Sequence, residues 1–173
     1  MQLDIYKSVF DTYFSGKEIQ DLLNSTKERV LKARQIFFVG NGGSNSICSH
    51  MMEDYAKIGG YRTFAFSDPA IITCFSNDFG YENAMKEWLK IYMDPGDLLF
   101  ALSSSGKSKN ILNAAAFAKE RNATVISLTG FDDANPLRQL GAVNFYIPSN
   151  SYGIVECYHQ VILHVLLDSL HEN

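Results

Sequence analysis

The feature that most constrains this chain is a transition that occurs twice: a short apolar run breaks at a polar loop, and a helical pattern follows. Ile36-Phe37-Phe38-Val39 leads into Gly40-Asn41-Gly42-Gly43-Ser44, and Leu98-Leu99-Phe100-Ala101-Leu102 leads into Ser103-Ser104-Ser105-Gly106-Lys107-Ser108. Continuous apolar runs of this length, bounded by turn residues, read as strands buried on both faces. Such strands separated by helices imply a parallel sheet covered on both sides. Right-handed crossovers then give an α/β fold, a three-layer α/β/α sandwich with a five-stranded parallel sheet. Each strand–loop–helix junction also gathers free backbone N–H groups and the positive end of a helix dipole, which suits an anion. Two of them at the carboxyl ends of one sheet predict a pocket for a phosphorylated small molecule.

The remaining pattern alternates helix and strand. Ile5, Tyr6, Val9, Phe10, Tyr13 and Phe14 form an aromatic-faced first helix, Gly16 interrupts it, and Ile19, Leu22, Leu23, Val30 and Leu31 mark a second. These two helices (residues 1–33) precede the sandwich (34–173) in one domain. A helix from Ser44 to Ile58 stops at Gly59-Gly60, and Tyr61 to Phe66 reads as a strand. Asp68-Pro69 starts a short helix ending at Asn77-Asp78-Phe79-Gly80, and another covers Ala84 to Tyr92. Asp94-Pro95-Gly96-Asp97 is a turn. Then come a helix carrying Ile111, Ala114, Ala115, Phe117 and Ala118, strands at Val125–Leu128 and Val143–Ile147, and an apolar helix from Ile154 to Leu170.

The 173 residues are 46% apolar and 20% charged, so a sizeable core is available without covalent staples. A net charge of −4 leaves no basic excess for nucleic acid or an anionic membrane surface. No stretch is long and apolar enough to span a bilayer, and the N-terminus carries no secretion pattern. Cys48, Cys74 and Cys157 are odd in number and far apart, which reads as reduced thiols in a cytoplasmic protein.

Two nucleotide motifs fail on inspection. Gly106-Lys107-Ser108 would need a glycine at position 101 for a P-loop, and Ala101 stands there. Gly40-x-Gly42 would need a third glycine at position 45 for a dinucleotide fingerprint, and Asn45 stands there.

The motifs together resemble the sugar isomerase (SIS) domain family, in its phosphoheptose isomerase branch. Gly40 to Ser44, Asn77-Asp78-Phe79-Gly80, Ser103 to Ser108 and Ser127-Leu128-Thr129-Gly130 come in that family's order, and the His-bearing last helix also matches. The resemblance spans almost the whole chain. It implies that Ser103, Ser104, Ser105 and Ser108 hold a phosphate, and that Asn41, Gly42, Gly43, Ser44 and Asp78 grip the sugar.

His50 and Asp54 lie four residues apart on one helix face, and Glu156, Gln160 and His164 recur every four residues on the last helix. The resemblance implies a divalent metal, usually zinc, held by His50, Asp54, Glu156 and His164, with Asp54 and His164 as the catalytic acid/base pair. Asp54 stands where the family has Glu, Glu156 where it has Gln, and Gly153 where it has a substrate-contacting Asp. The first two replacements keep oxygen donors; the third removes a sugar contact. Glu53 should face elsewhere, being rotated about 100° from Asp54, and His159 lies about 140° from His164.

The implied activity is aldose–ketose isomerisation of a sugar phosphate, sedoheptulose 7-phosphate above all, through an enediolate. A non-catalytic phosphosugar-binding regulator, or an isomerase of another sugar phosphate, remains open at this stage. The family precedent and the apolar stripe of the first helix point to a homotetramer with sites built between subunits.

Overall fold

The computed structural model describes residues 2–171. At its centre, β1 (Ile36–Val39), β2 (Thr63–Ala65), β3 (Leu98–Ser103), β4 (Thr124–Thr129) and β5 (Val143–Tyr146) form one sheet. The order is β2-β1-β3-β4-β5, and every neighbouring pair is parallel. β1 and β3 are buried along their whole length, which is why both read as unbroken apolar runs. Around the sheet lie α1 (Gln2–Phe14), α2 (Lys17–Val30), α3 (Gly43–Lys57), α4 (Pro69–Phe79), α5 (Tyr81–Tyr92), α6 (Lys109–Glu120), α7 (Pro136–Leu140) and α8 (Tyr152–His171). No helix among the described residues is long and apolar enough to cross a membrane.

Side chains along a strand alternate between the two layers. Ile36 and Phe38 of β1 enter the core shared with α2, α3 and α8, while Phe37 and Val39 enter the core shared with α5, α6 and α7. The α/β/α sandwich expected from the sequence is therefore present, with its two N-terminal helices.

Two local expectations shift, and one helix was not expected. The second strand is only Thr63–Ala65, because this edge strand pairs with β1 alone. α5 starts at Tyr81, directly after Gly80 at φ +75°, rather than near Ala84. α7 is too short for apolar periodicity to signal. Its mark is Asn135-Pro136, where Asn135 Oδ1 accepts from the Arg138 N–H at 3.1 Å.

The aromatic stripe of α1 lies on α8 through Tyr6, Phe10 and Phe14, while Tyr13 borders a cavity with Asn144 and Tyr146 of β5. The rings of Phe10 and Phe14 stand 6.1 and 5.8 Å from that of Tyr158, and the Tyr158 hydroxyl donates to the Tyr6 carbonyl. No described α1 residue is fully buried, and Leu3, Ile5 and Phe10 stay exposed.

Topology fixes the site. The chain steps outward from β1 to β2 and returns to β3 on the other side of β1, so a crevice opens between the carboxyl ends of β1 and β3. On one face, α3 and α8 run side by side in the same direction. Gly43 meets Glu156 at their start, Gln160 Nε2 lies 3.2 Å from Met51 Sδ, and the Tyr55 hydroxyl donates to the Leu163 carbonyl at 3.1 Å.

Candidate active site

The crevice holds a cavity of about 130 Å³ lined by Asn41, Ser44, Leu102, Ser103, Ser104, Ser105, Ser108, Tyr152 and Glu156. Its floor is the end of β3 and its walls are the first turns of α3, α6 and α8. Neither Gly42, before α3, nor Ser108, before α6, caps its helix with a side-chain hydrogen bond. Apart from Ile111 N–H, which donates to Asn110 Oδ1 at 3.0 Å, and Asn45 N–H, which donates to the Gly42 carbonyl at 3.0 Å, the leading N–H groups of the two helices are left for a ligand, which is the condition for an anion site. The Ser104 hydroxyl is buried with no hydrogen-bond partner, and Ser103 Oγ reaches only Ser108 Oγ, at 3.4 Å. A buried hydroxyl left unpaired costs about 1–3 kcal/mol, and a phosphate oxygen would remove that cost.

The turn is held from behind. Gly106, at φ +62°, presses against the Asn135 side chain so closely that a Cβ would overlap it. Lys107 turns away from the cavity onto Asp132, with Nζ and Oδ2 2.8 Å apart. Positive potential in the cradle thus comes from backbone N–H groups and helix ends.

Asn41 is clamped by two residues that spacing alone did not reveal. Its Nδ2 donates to Asn110 Oδ1 at 3.0 Å, Asn110 Nδ2 donates back to Asn41 Oδ1 at 2.8 Å, and the Tyr81 hydroxyl donates to the same Oδ1 at 2.7 Å. The available signal was Asn110, a polar residue on the inward face of α6 beside Ile111 and Ala114. Tyr152 at the cavity mouth carried no such signal.

Further down the α3–α8 groove, His50, Asp54 and His164 converge, with one donor atom from each within 4.8 Å of the others. Asp54 Oδ2 is 3.3 Å from His50 Nε2 and 3.7 Å from His164 Nδ1, and the imidazole centroids are 5.4 Å apart. A tetrahedral zinc with bonds of ~2.0–2.1 Å separates its ligands by about 3.3–3.4 Å. The two distances to Asp54 are near that spacing and all three donors lie within 4.8 Å of one another, so the group could hold a divalent ion with a fourth position open.

Not every expected residue joins these two clusters. Ser44, Asn41, Ser103, Ser104, Ser105 and Ser108 line the cavity; Gly43 touches its Glu156 wall, and Gly42 lines a neighbouring pocket with Asn45, Phe66 and Tyr81 instead. Glu156 lines the same cavity as the serines and stands outside the His50–Asp54–His164 group. It precedes His164 by two helical turns, about 12 Å of rise, which a side chain does not bridge. Asp78 is exposed at the end of α4, hydrogen-bonded by Asn77 Nδ2, and does not line the cavity. Gly153 faces α1, where a Cβ would meet the Tyr6 hydroxyl at 2.7 Å. Glu53 points outward toward Lys57 at 3.7 Å. His159 is fully buried with Nε2 3.1 Å from the Thr129 carbonyl, apart from the triad as its helical angle requires.

Two helix starts facing a serine loop at the switch point of a parallel sheet define the class, and the chain belongs to the SIS domain family, whose sequence pattern matches residues 5–130. Within that family it groups with the phosphoheptose isomerases. That of Glaesserella parasuis is 34% identical over 139 residues, 77% of this chain and 72% of that protein. That of Fusobacterium nucleatum is 29% identical over 176 aligned residues, 98% of this chain and 89% of its own. The solved phosphoheptose isomerase of Neisseria gonorrhoeae shares the fold, with a TM-score of 0.89 at 22% identity over 98% of this chain and 95% of that one.

Proposed function

We propose that this chain is an aldose–ketose isomerase converting sedoheptulose 7-phosphate to the heptose 7-phosphate. The observation that carries the reading is that an anion cradle and a His–Asp–His cluster share one groove. Ser44 and His50 are six residues apart on α3, about 9 Å of rise. An extended chain advances roughly 1.2 Å per bond, so the eight bonds from phosphorus to C1 of an open seven-carbon sugar cover about the same span. The phosphoheptose isomerase relatives support the same substrate.

In this account Ser103, Ser104, Ser105 and Ser108 bind the phosphate together with the N–H groups of the α6 turn. Asn41, locked by Asn110 and Tyr81, and Ser44 donate to sugar oxygens, while Glu156 accepts from sugar hydroxyls. Asp54 carries the acid/base work, with His164 beside it at 3.7 Å. Asp54 takes a proton from C1, giving an enediolate, and after exchange with solvent delivers a proton to C2, while the hydroxyl proton of O1 passes to O2; a placed base contributes ~10²–10⁴-fold to such a step. A divalent ion, zinc in this reading, would be held by His50, Asp54 and His164, and would polarise the carbonyl and stabilise the enediolate oxygens. With an ion bound, His50 and His164 would each give it a ring-nitrogen lone pair, leaving the second carboxylate oxygen of Asp54 to carry the proton.

The exposed Leu3, Ile5 and Phe10 of α1 support a homotetramer, and a phosphorylated sugar as substrate supports a cytoplasmic setting. Incubation with sedoheptulose 7-phosphate, followed by NMR, tests the activity. Appearance of the aldose signal supports it; an unchanged spectrum with bound substrate would favour a binding protein instead.

A further inference from the structure

We infer that Gln160 is a positioning residue that commits Nδ1 of His164 to the active cluster by holding the other ring nitrogen. The inference rests on the reading of His50, Asp54 and His164 as the reacting, ion-holding centre. Gln160 lies one turn before His164 on α8, partly buried, with its amide nitrogen Nε2 placed 2.8 Å from His164 Nε2. Met51 of α3 borders the amide, its sulfur 3.2 Å away. On the other side of the ring, Nδ1 faces Asp54 Oδ2 at 3.7 Å.

A neutral imidazole has one protonated nitrogen and one with a lone pair, and the partner of the first decides which is which. For Nδ1 to present a lone pair to a cation, the proton must sit on Nε2 and be accepted there. Gln160 offers the acceptor, because the oxygen and nitrogen of an amide can exchange places by rotation about the last torsion. With Oε1 toward the ring, Nε2–H donates to Gln160 and Nδ1 is free. With the amide nitrogen toward the ring, as in the placement above, the ring proton sits on Nδ1 and faces Asp54 Oδ2. An ion between two imidazoles and a carboxylate selects the first arrangement. This makes the Gln160 amide the outer partner that metal-ligating histidines require, whose loss typically costs 10–100-fold in affinity.

The test uses the full chain with Gln160→Met, which keeps length but removes the acceptor, and Gln160→Glu, which keeps an oxygen. Zinc affinity is read by competition with a chromophoric chelator, and the His164 tautomer by ¹H–¹⁵N correlation in the metal-free chain above neutral pH. Gln160→Met should bind zinc about 10–100-fold more weakly and lose the Nε2–H tautomer, while Gln160→Glu keeps both near wild type. Equal zinc affinity and an unchanged tautomer in Gln160→Met would overturn the inference, as would an Nδ1–H ring in the wild type. A wild type with the Nε2–H tautomer held by Gln160 and no zinc binding would instead sink the metal reading and leave the positioning role standing.

Discussion

Gly43 and Glu156 pin the starts of α3 and α8 together: a Cβ on Gly43 would fall inside the Glu156 carboxylate. Through that approach one cavity draws walls from two helices. Gly43→Ala must push the Glu156 carboxylate, the flexible end of its side chain, out of its place at the cavity. Stability should change by no more than about 1 kcal/mol in urea unfolding, while calorimetry should show weaker sugar-phosphate binding. Wild-type binding would mean that the contact is incidental.

Ser104 separates function from stability. Its hydroxyl is buried without a partner, so Ser104→Ala removes a group that the folded chain does not satisfy. Stability should hold or rise by up to about 1 kcal/mol. Binding of inorganic phosphate should fall roughly tenfold or more, since a hydrogen bond to a charged group is worth ~1.5–3 kcal/mol. Loss of stability without loss of phosphate binding would assign Ser104 to the core.

His159 gives the chain an acid limit. Burial pushes its pKa from 6.5 down to about 4, and the Thr129 carbonyl can only accept, so the ring is neutral with its proton on Nε2. Between those two values the unfolded chain takes up a proton that the folded chain refuses. Stability contributed by this group is therefore complete above pH 6.5 and declines as pH falls toward 4, by roughly 2 kcal/mol at pH 5. Urea unfolding at neutral pH and at pH 5 should show this drop, and His159→Gln should shrink it. An equal drop in the variant would place the acid sensitivity elsewhere.

α1 should matter to assembly more than to folding. None of its described residues is fully buried, and Leu3 and Ile5 face solvent. Sedimentation should give a mass near four chains, and Ile5→Glu should shift it downward with little change in the unfolding midpoint. A monomeric wild type would remove the tetramer from the account.

Much of this architecture was legible in the residues. β1 and β3 declared themselves because central parallel strands are buried on both faces, and Gly42 and Ser108 because they sit where strand passes to helix. His50, Asp54 and His164 were legible through their spacing within helices and the family resemblance. Glu156 was expected with them, but an i, i+8 spacing puts it two turns away, at the cavity. Asp78 was expected in the site and sits exposed on α4. Asn110 and Tyr81 gain their roles only from Asn41, which another part of the chain brings to them, whereas Gln160 shares α8 with His164 and gains its role once α3 sets Asp54 against that ring. α7 escaped notice because five residues hold too little periodicity; Asn135-Pro136 alone announced it.

The most direct measurement is solvent exchange at C1 of sedoheptulose 7-phosphate in D₂O, followed by NMR with the wild type and with Asp54→Asn. The account predicts deuterium at the reacting carbons with the wild type, and a rate lower by ~10²–10⁴-fold in Asp54→Asn with phosphate binding retained. Undiminished exchange in Asp54→Asn, or product formed by the wild type with no exchange at all, would contradict the role given to this carboxylate and the enediolate route it serves.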